Sequence, residues 1–162
     1  MKFIKKGFTL IELLVTIGIL AVVAAGVIAL INPQEKTRQA QDANAQSAIG
    51  QVATALQSYS AQRPAGDYPL TAVWGGWGVG NILVTSGELV AMPNLPVLYT
   101  TNYVGTATAA TVGVRLLSAK YLVQCTIAGE VPYWFWDNSN GRACGFCGSA
   151  VPDNASTCNT TF

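Results

Sequence analysis

Histidine is absent from this 162-residue chain, and charged residues make up only 10% of it. Because histidine is the commonest general base and metal ligand, its absence excludes Ser-His-Asp and Cys-His catalysis and imidazole-bound zinc. Nine basic and eight acidic side chains give a net charge of +1. A nucleic-acid-binding surface would need a strongly basic face. We therefore expect no enzyme activity, no catalytic residue, no metal, no cofactor and no nucleic-acid partner for the globular head of the chain.

Charged residues are rarest in one long apolar segment near the N-terminus. Residues 8–31 contain 19 apolar side chains in 24 and one charged residue, Glu12. A helix of this length spans about 36 Å, which is enough to cross a hydrocarbon core of about 30 Å. Lys2, Lys5 and Lys6 precede the run, and the positive-inside rule predicts that they stay in the cytoplasm. The rest of the chain then lies outside the membrane.

A cleaved secretory signal peptide or a simple single-pass anchor would also be apolar. A signal peptide has an apolar region of about 7–15 residues, and this run is longer, although Ala24-Ala25-Gly26 resembles a small-residue cleavage site. Neither alternative explains Glu12, because a carboxylate in an apolar membrane segment is costly and by default marks a functional position.

Residues 5–15, with the sequence KKGFTLIELLV, resemble the N-terminal signature of type IV prepilins and pseudopilins. The signature joins a short basic leader ending in Gly7 to Phe8, and places Glu12 at the fifth position after the glycine. The resemblance implies that prepilin peptidase cuts between Gly7 and Phe8 and then methylates the new amine of Phe8. Since glycine has no side chain, the protease can approach the bond closely.

The resemblance also implies that Glu12 acts in assembly. Residues 8–31 contain no Lys or Arg, so the only nearby cation is the amine that cleavage creates on Phe8. An internal pair is possible at a spacing of four residues. In the family, the glutamate of an incoming subunit meets the amine of a subunit already in the filament, which sets the register. Gly18 and Gly26 could allow close packing of these helices, or could simply reflect the frequency of glycine in membrane helices.

A second helical segment is predicted over residues 32–62. Asn32-Pro33 should kink or interrupt the helix, because proline removes a backbone hydrogen bond. Beyond it, an apolar stripe at helical spacing predicts packing on a globular head; it consists of Ala45, Ile49, Val52, Leu56 and Tyr59. Charged residues cluster at the start of this segment, namely Glu35, Lys36, Arg38 and Asp42. We interpret them as a solvated face, with pairing between neighbouring subunits as the alternative.

Residues 63–96 are rich in proline and glycine and are predicted to be irregular, with a short helix near residues 88–92. The sequence Trp74-Gly75-Gly76-Trp77 allows two interpretations. The two rings could form a surface on which carbohydrate stacks, or they could pack the loop onto the sheet or a neighbouring subunit. We favour packing.

Residues 97–162 are predicted to form an antiparallel sheet and a disulfide-bonded tail. Segments rich in Val, Tyr, Trp and Thr predict strands; these are residues 97–104, 112–117, 121–126, 133–136 and 142–146, with turns at 128–130 and 138–141. The expected fold is α+β: a long N-terminal helix, membrane-spanning in its first half and amphipathic in its second, packed on a small antiparallel meander, as in pilin heads.

Two polar motifs in this region have weak functional interpretations. Asp137, with the Asn-Ser-Asn-Gly that follows it, and Asp153-Asn154 could suggest calcium, but turn chemistry accounts for them. Asn154-Ala155-Ser156 and Asn159-Thr160-Thr161 match the N-glycosylation pattern.

Four cysteines lie in the same region: Cys125, Cys144, Cys147 and Cys158. Outside the cytoplasm we expect disulfides, although Cys-x-x-Cys also resembles a zinc site. If residues 121–126, 133–136 and 142–146 are neighbouring strands, Cys125 and Cys144 flank a central strand about 9.6 Å apart. Bridged Cα atoms lie within about 7 Å. We therefore disfavour that pair, and expect Cys158 to bond Cys125 or Cys144 and so pin the tail.

Together these features predict a structural subunit of a type IV pilus-like filament. A pseudopilin of a type II secretion or DNA-uptake system is the alternative within this class, and a membrane-anchored extracytoplasmic binding module is the alternative in another. Expected partners are copies of itself and related pilins, prepilin peptidase and the inner-membrane assembly machinery. The chain should reside in the cytoplasmic membrane before assembly and in a surface filament afterwards. Residues 1–7 would be the leader and 8–31 the membrane or filament-core helix.

Overall fold

The computed structural model describes residues 7–153, 156 and 158. Its helices are α1 (Leu10–Leu30), α2 (Pro33–Ala61), α3 (Ile82–Thr85) and α4 (Ala119–Leu122), with a 3-10 turn at Thr71–Val73. Its strands are β1 (Thr101–Gly105), β2 (Ala110–Arg115), β3 (Val131–Asp137) and β4 (Ala143–Gly148). The chain divides after Lys36 into two compact units. The predictions for Lys2, Lys5 and Lys6, and for the asparagines of both glycosylation sequences, lie outside the described residues.

The first unit contains α1, an apolar helix with no inward face. Every α1 side chain that the structure describes is exposed, and the apolar content is spread around the whole circumference. Leu10–Ile28 is long and apolar enough to cross a membrane. Such a helix needs a lipid or protein surrounding, because water would leave its apolar surface unburied.

The interruption predicted at Asn32-Pro33 is confirmed. Helix α1 ends with the Ile31 N–H donating to the Val27 carbonyl, 3.3 Å away. Pro33 occupies the first position of α2, where its missing N–H costs nothing. The Asn32 side-chain oxygen accepts from the Glu35 N–H at 3.3 Å and caps the new helix.

Helix α2 forms one wall of the core of the second unit. The five predicted stripe residues, from Ala45 to Tyr59, are all buried, and alanines 48, 53 and 55 are buried beside them. The spacing of three and four residues places them along one side of the helix. The amphipathic half of the prediction is therefore confirmed.

The sheet is an antiparallel meander in the order β1-β2-β3-β4, which confirms the predicted α+β fold. In its register, Tyr103 pairs with Val112 and Val112 pairs with Trp136. These side chains share one face of the sheet and join the core with α2. The turn between β3 and β4 lies at residues 138–142, where the Gly141 N–H donates to the Asp137 carbonyl at 3.2 Å.

Three details of the predicted secondary structure are wrong. Residues 121–126 are not a strand: they contain the end of α4 and a turn, in which the Cys125 N–H donates to the Leu122 carbonyl. The short helix lies at Ile82–Thr85 rather than at 88–92, because the Asn81 side chain caps the Leu83 N–H at 2.9 Å. Residues 97–100 precede β1, since the Tyr99 N–H donates to the Pro96 carbonyl and closes a turn.

Asp42 also departs from prediction, because it is fully buried rather than part of a solvated face. Its carboxylate accepts from the Tyr99 hydroxyl at 2.5 Å and from the N–H groups of Leu117 and Ser118, each at 2.9 Å. Burial, followed by the bond to Asp42, raises the pKa of Tyr99 well above its ordinary value, so this hydroxyl remains a donor. One carboxylate thus ties α2 to the segments that precede β1 and follow β2.

We predict that Asp42→Ala lowers the free energy of unfolding of the head by about 3 kcal/mol, because two buried donors and one part-buried donor lose their charged acceptor. Urea unfolding of the full chain in detergent, followed by tryptophan fluorescence, measures the change. Asn44→Ala, at an exposed position of the same helix, is the control. Equal midpoints for the two variants would contradict the role assigned to Asp42.

Candidate functional site

The predicted cleavage site lies just before α1. Gly7, Phe8 and Thr9 are not helical, and all three are exposed. The Phe8 side chain is 78% exposed. Among the described residues, nothing lies within 4 Å of the point where a Cβ on Gly7 would stand. No residue in the described part of the chain therefore crowds the Gly7 side of the Gly7–Phe8 bond.

Glu12 and Thr9 form a capping box at the start of α1. The Glu12 carboxylate accepts from the Thr9 N–H at 3.0 Å and from the Thr9 hydroxyl at 2.9 Å. In return, the Thr9 hydroxyl accepts from the Glu12 N–H at 3.3 Å. These bonds satisfy donors that the first turn of a helix leaves unpaired. The carboxylate thus has neutral hydrogen-bond donors in its own chain.

The sequence analysis considered only cations as partners of Glu12, and it therefore missed Thr9 as a hydrogen-bond partner of this carboxylate. The signal was present, because Ser or Thr followed three residues later by Glu or Gln before an apolar run is typical of a capping box. Thr9 and Glu12 fit this pattern directly.

Residues 3–28 match the family model described as the prokaryotic N-terminal methylation motif. This segment is the type IV prepilin signal motif. Neither the curated proteins nor the solved structures contain a match to the chain. The prepilin signal motif indicates a precursor of the type IV pilin or pseudopilin type. It implies processing by prepilin peptidase and assembly into filaments, and with the apolar helix it suggests membrane anchoring followed by surface display.

The head is closed by two disulfides that both end on β4. Cys125 bonds Cys147, with Cα atoms 5.4 Å apart, and Cys144 bonds Cys158, with Cα atoms 5.8 Å apart. Cys158 therefore has one of its two expected partners, and the disfavoured Cys125–Cys144 pair is not formed. The strand order used in that argument was nevertheless wrong, since Cys125 lies in a turn after α4. With all four thiols bonded, none is left to ligate zinc.

The Cys144–Cys158 bond holds the tail near the sheet face turned away from α2. Cys144 pairs with Phe135, so the two share this face, and the Phe135 ring is fully buried. The Phe146 ring meets Phe135 edge-on at 5.8 Å between centroids. The Asn102 side chain donates to the Pro152 carbonyl at 3.0 Å, which places the tail beside β1 as well as β4. The tail thus helps to cover a second, smaller apolar cluster.

The tryptophans of the irregular region pack inward, which confirms the favoured interpretation. Trp74 is 7% exposed and stacks on Tyr103, with ring centroids 3.8 Å apart. The half-buried Trp77 donates its indole N–H to the Pro93 carbonyl at 2.8 Å. Gly75 has φ +75°, and a Cβ there would collide with the Gly80 backbone. The glycines therefore let the loop fold tightly while both rings reach the core.

Asp137 has a turn-forming role, as its sequence context indicated. Its carboxylate accepts from the Ser139 hydroxyl and from the backbone and side-chain N–H groups of Asn140. Within the part of the chain that the structure describes, no group of three His, Cys, Asp or Glu residues could hold a metal ion.

We predict that Cys144→Ser/Cys158→Ser lowers the free energy of unfolding by about 2–4 kcal/mol, because it frees the tail and removes a 14-residue crosslink. Non-reducing peptide mapping of the wild type should first show Cys125–Cys147 and Cys144–Cys158. Cys125→Ser/Cys147→Ser is the comparison variant. Mapping that linked Cys158 to Cys125 would refute the pairing.

Proposed function

We propose that this chain is a structural, non-enzymatic subunit of a type IV pilus-like filament, assembled through α1 after removal of residues 1–7. The observation that carries the proposal is the prepilin signal motif at the start of a helix whose described side chains are all exposed. Lipid covers such a helix before assembly, and the helices of other copies cover it afterwards. The disulfide-closed head would be the part displayed outside the cell.

In this proposal Glu12 changes partners during assembly. In the uncut chain its carboxylate is held by Thr9. Cleavage creates a cation at Phe8, and in the filament that cation on a neighbouring copy competes with the neutral donors of Thr9. A charged pair in a low-dielectric core is strong, and an unpaired charge there is heavily penalised. Only subunits in the correct register satisfy both groups, so the pair selects register as well as adding attraction.

A pseudopilin of a secretion or DNA-uptake system carries the same motif, so the motif supports both forms of the proposal. A pilus subunit and a pseudopilin differ in the abundance and length of the fibre that they form. Mass spectrometry of filaments sheared from the cell surface would favour a pilus if this chain is abundant in them. The binding-module alternative is weaker, because it relied on two exposed rings and Trp74 is buried.

Processing provides the first test. The mature chain should begin at Phe8 and carry one added methyl group on its amine. Gly7→Val should keep the leader attached, because a branched side chain crowds the peptidase at the bond. Gly18→Ala, within α1 and away from the bond, is the control and should be cut normally. An intact Met1 terminus in assembled filaments would contradict the proposal.

The role of the Glu12 charge provides the second test. Glu12→Gln retains a capping-box residue, because Gln also serves at this position, and it removes only the charge. We expect normal insertion and cleavage, with filament protein reduced at least about tenfold, the factor that corresponds to ~1.4 kcal/mol. Quantitative immunoblotting of sheared filaments measures it.

Thr9→Ser retains the hydroxyl and serves as the matched control for Glu12→Gln. It should assemble as the wild type does. If Glu12→Gln assembles equally well, apolar packing of α1 sets the register and the proposed partner exchange is wrong.

A further inference from the structure

One end of the head exposes aliphatic side chains from two separate segments. Before β1, Val97 is fully exposed and Leu98 is 75% exposed. After α4, Val123 is 74% and Ile127 is 65% exposed, with Leu122 at 40%. We call these five residues the aliphatic end. Exposed aliphatic residues grouped in this way are typical of a surface that meets another apolar phase.

Asp42 brings the two segments together. It binds the Tyr99 hydroxyl on one side and the Ser118 N–H on the other, within 2.9 Å of each. Leu98 immediately precedes Tyr99, and α4 starts immediately after Ser118. The Tyr99 hydroxyl also lies 3.5 Å from the Arg38 carbonyl. The aliphatic end is therefore fastened to the early turns of α2, which follow directly from the apolar helix in the sequence.

Exposed basic side chains flank the aliphatic end. Arg38, Arg115 and Lys120 are exposed on the segments that form or adjoin it. The sequence contains no Asp or Glu between Glu88 and Glu130. Glu35, three residues before Arg38, and Glu130, three residues after Ile127, are half-buried. Asp42 is fully buried and occupied by its three donors. Basic side chains beside exposed aliphatic ones are typical of surfaces that bind anionic lipid headgroups.

We propose that the aliphatic end rests on the anionic phospholipid headgroups of the membrane in which α1 is anchored, before the chain enters a filament. Chain connectivity permits this contact. Leu30 is the last residue of α1, and Arg38 follows eight residues later, so at most about 20 Å of chain separates them. The polar layer of a bilayer is about 5–7 Å deep on each side. The lipid surface is thus the apolar and anionic partner within reach.

A second copy of the same surface fits less well than lipid. Two copies meeting at their aliphatic ends would bring Arg38 and Lys120 of each together, and no exposed carboxylate on these segments would offset the repulsion. Anionic headgroups instead attract these cations while their acyl boundary accepts the aliphatic side chains. The proposal depends on membrane insertion of α1 but not on cleavage or filament assembly, so it can fail while the proposed function stands.

Photocrosslinking of the full, uncut chain in vesicles tests the proposal. A photoreactive phenylalanine analogue replaces Val123, and a matched chain carries it at Thr108, an exposed position in the β1–β2 turn at the far end of β1. The vesicles contain phosphatidylethanolamine with phosphatidylglycerol, at a lipid excess that leaves about one chain per vesicle. We expect about fivefold more lipid adducts from position 123 than from position 108. This factor equals the gain in membrane affinity that one basic side chain gives near an anionic surface.

Charge reversal separates headgroup binding from simple proximity. Lys120→Glu should reduce the adducts at position 123, whereas Arg142→Glu, exposed in the β3–β4 turn, should not. Peptide mapping of both disulfides in each variant confirms that the head is folded. Equal lipid labelling at positions 123 and 108, or adducts at 123 that join two chains instead of chain and lipid, would overturn the proposal. An unchanged yield in Lys120→Glu would overturn the assigned role of charge.

Discussion

The bond network of Asp42 is the constraint on which the head depends. The sheet and α2 bury apolar faces against each other, but that contact is non-directional and fixes no particular alignment of helix and strands. Asp42 supplies the alignment, because its carboxylate accepts from Tyr99, Leu117 and Ser118 at 2.5–2.9 Å. Two of these three donors are backbone N–H groups, so the bonds fix the path of the chain as well as the side chains.

The two units of the chain suit opposite environments: the first suits an apolar surrounding and the second suits water. Helix α1 is apolar on every side and carries one carboxylate, which its own N-terminal turn satisfies through Thr9. Helix α2 buries one side and exposes mostly polar residues elsewhere, so it suits an aqueous head. Asn32 and Pro33 mark the change from one helix to the other, with a cap and a first-turn proline that allow a new helix to begin at once.

The sequence predicted the parts of the fold that depend on periodicity. The apolar run, the stripe from Ala45 to Tyr59, the interruption at Pro33 and the presence of an antiparallel meander all follow from local sequence patterns. Helix α4 did not, because residues 121–126 are rich in strand-forming types, whereas the Tyr121 and Leu122 N–H groups donate to the Ser118 carbonyl and close a helical turn. Asp42 itself could not be identified, since nothing local distinguishes a buried acidic residue from its solvated neighbours. In the N-terminal site, the motif identified Gly7, Phe8 and Glu12 as candidates, whereas Thr9 required capping geometry.

The arrangement of the two disulfides determines how the head responds to proteolysis outside the cell. The bonds Cys125–Cys147 and Cys144–Cys158 overlap along the chain, because Cys144 lies inside the first loop and Cys158 outside it. A single protease cut anywhere between Cys125 and Cys158 therefore separates two fragments that at least one bond still joins. Strands β3 and β4 lie wholly within this stretch, whereas β1 and β2 precede it. A head exposed to extracellular proteases would thus keep β3 and β4 covalently attached after a first nick in this stretch.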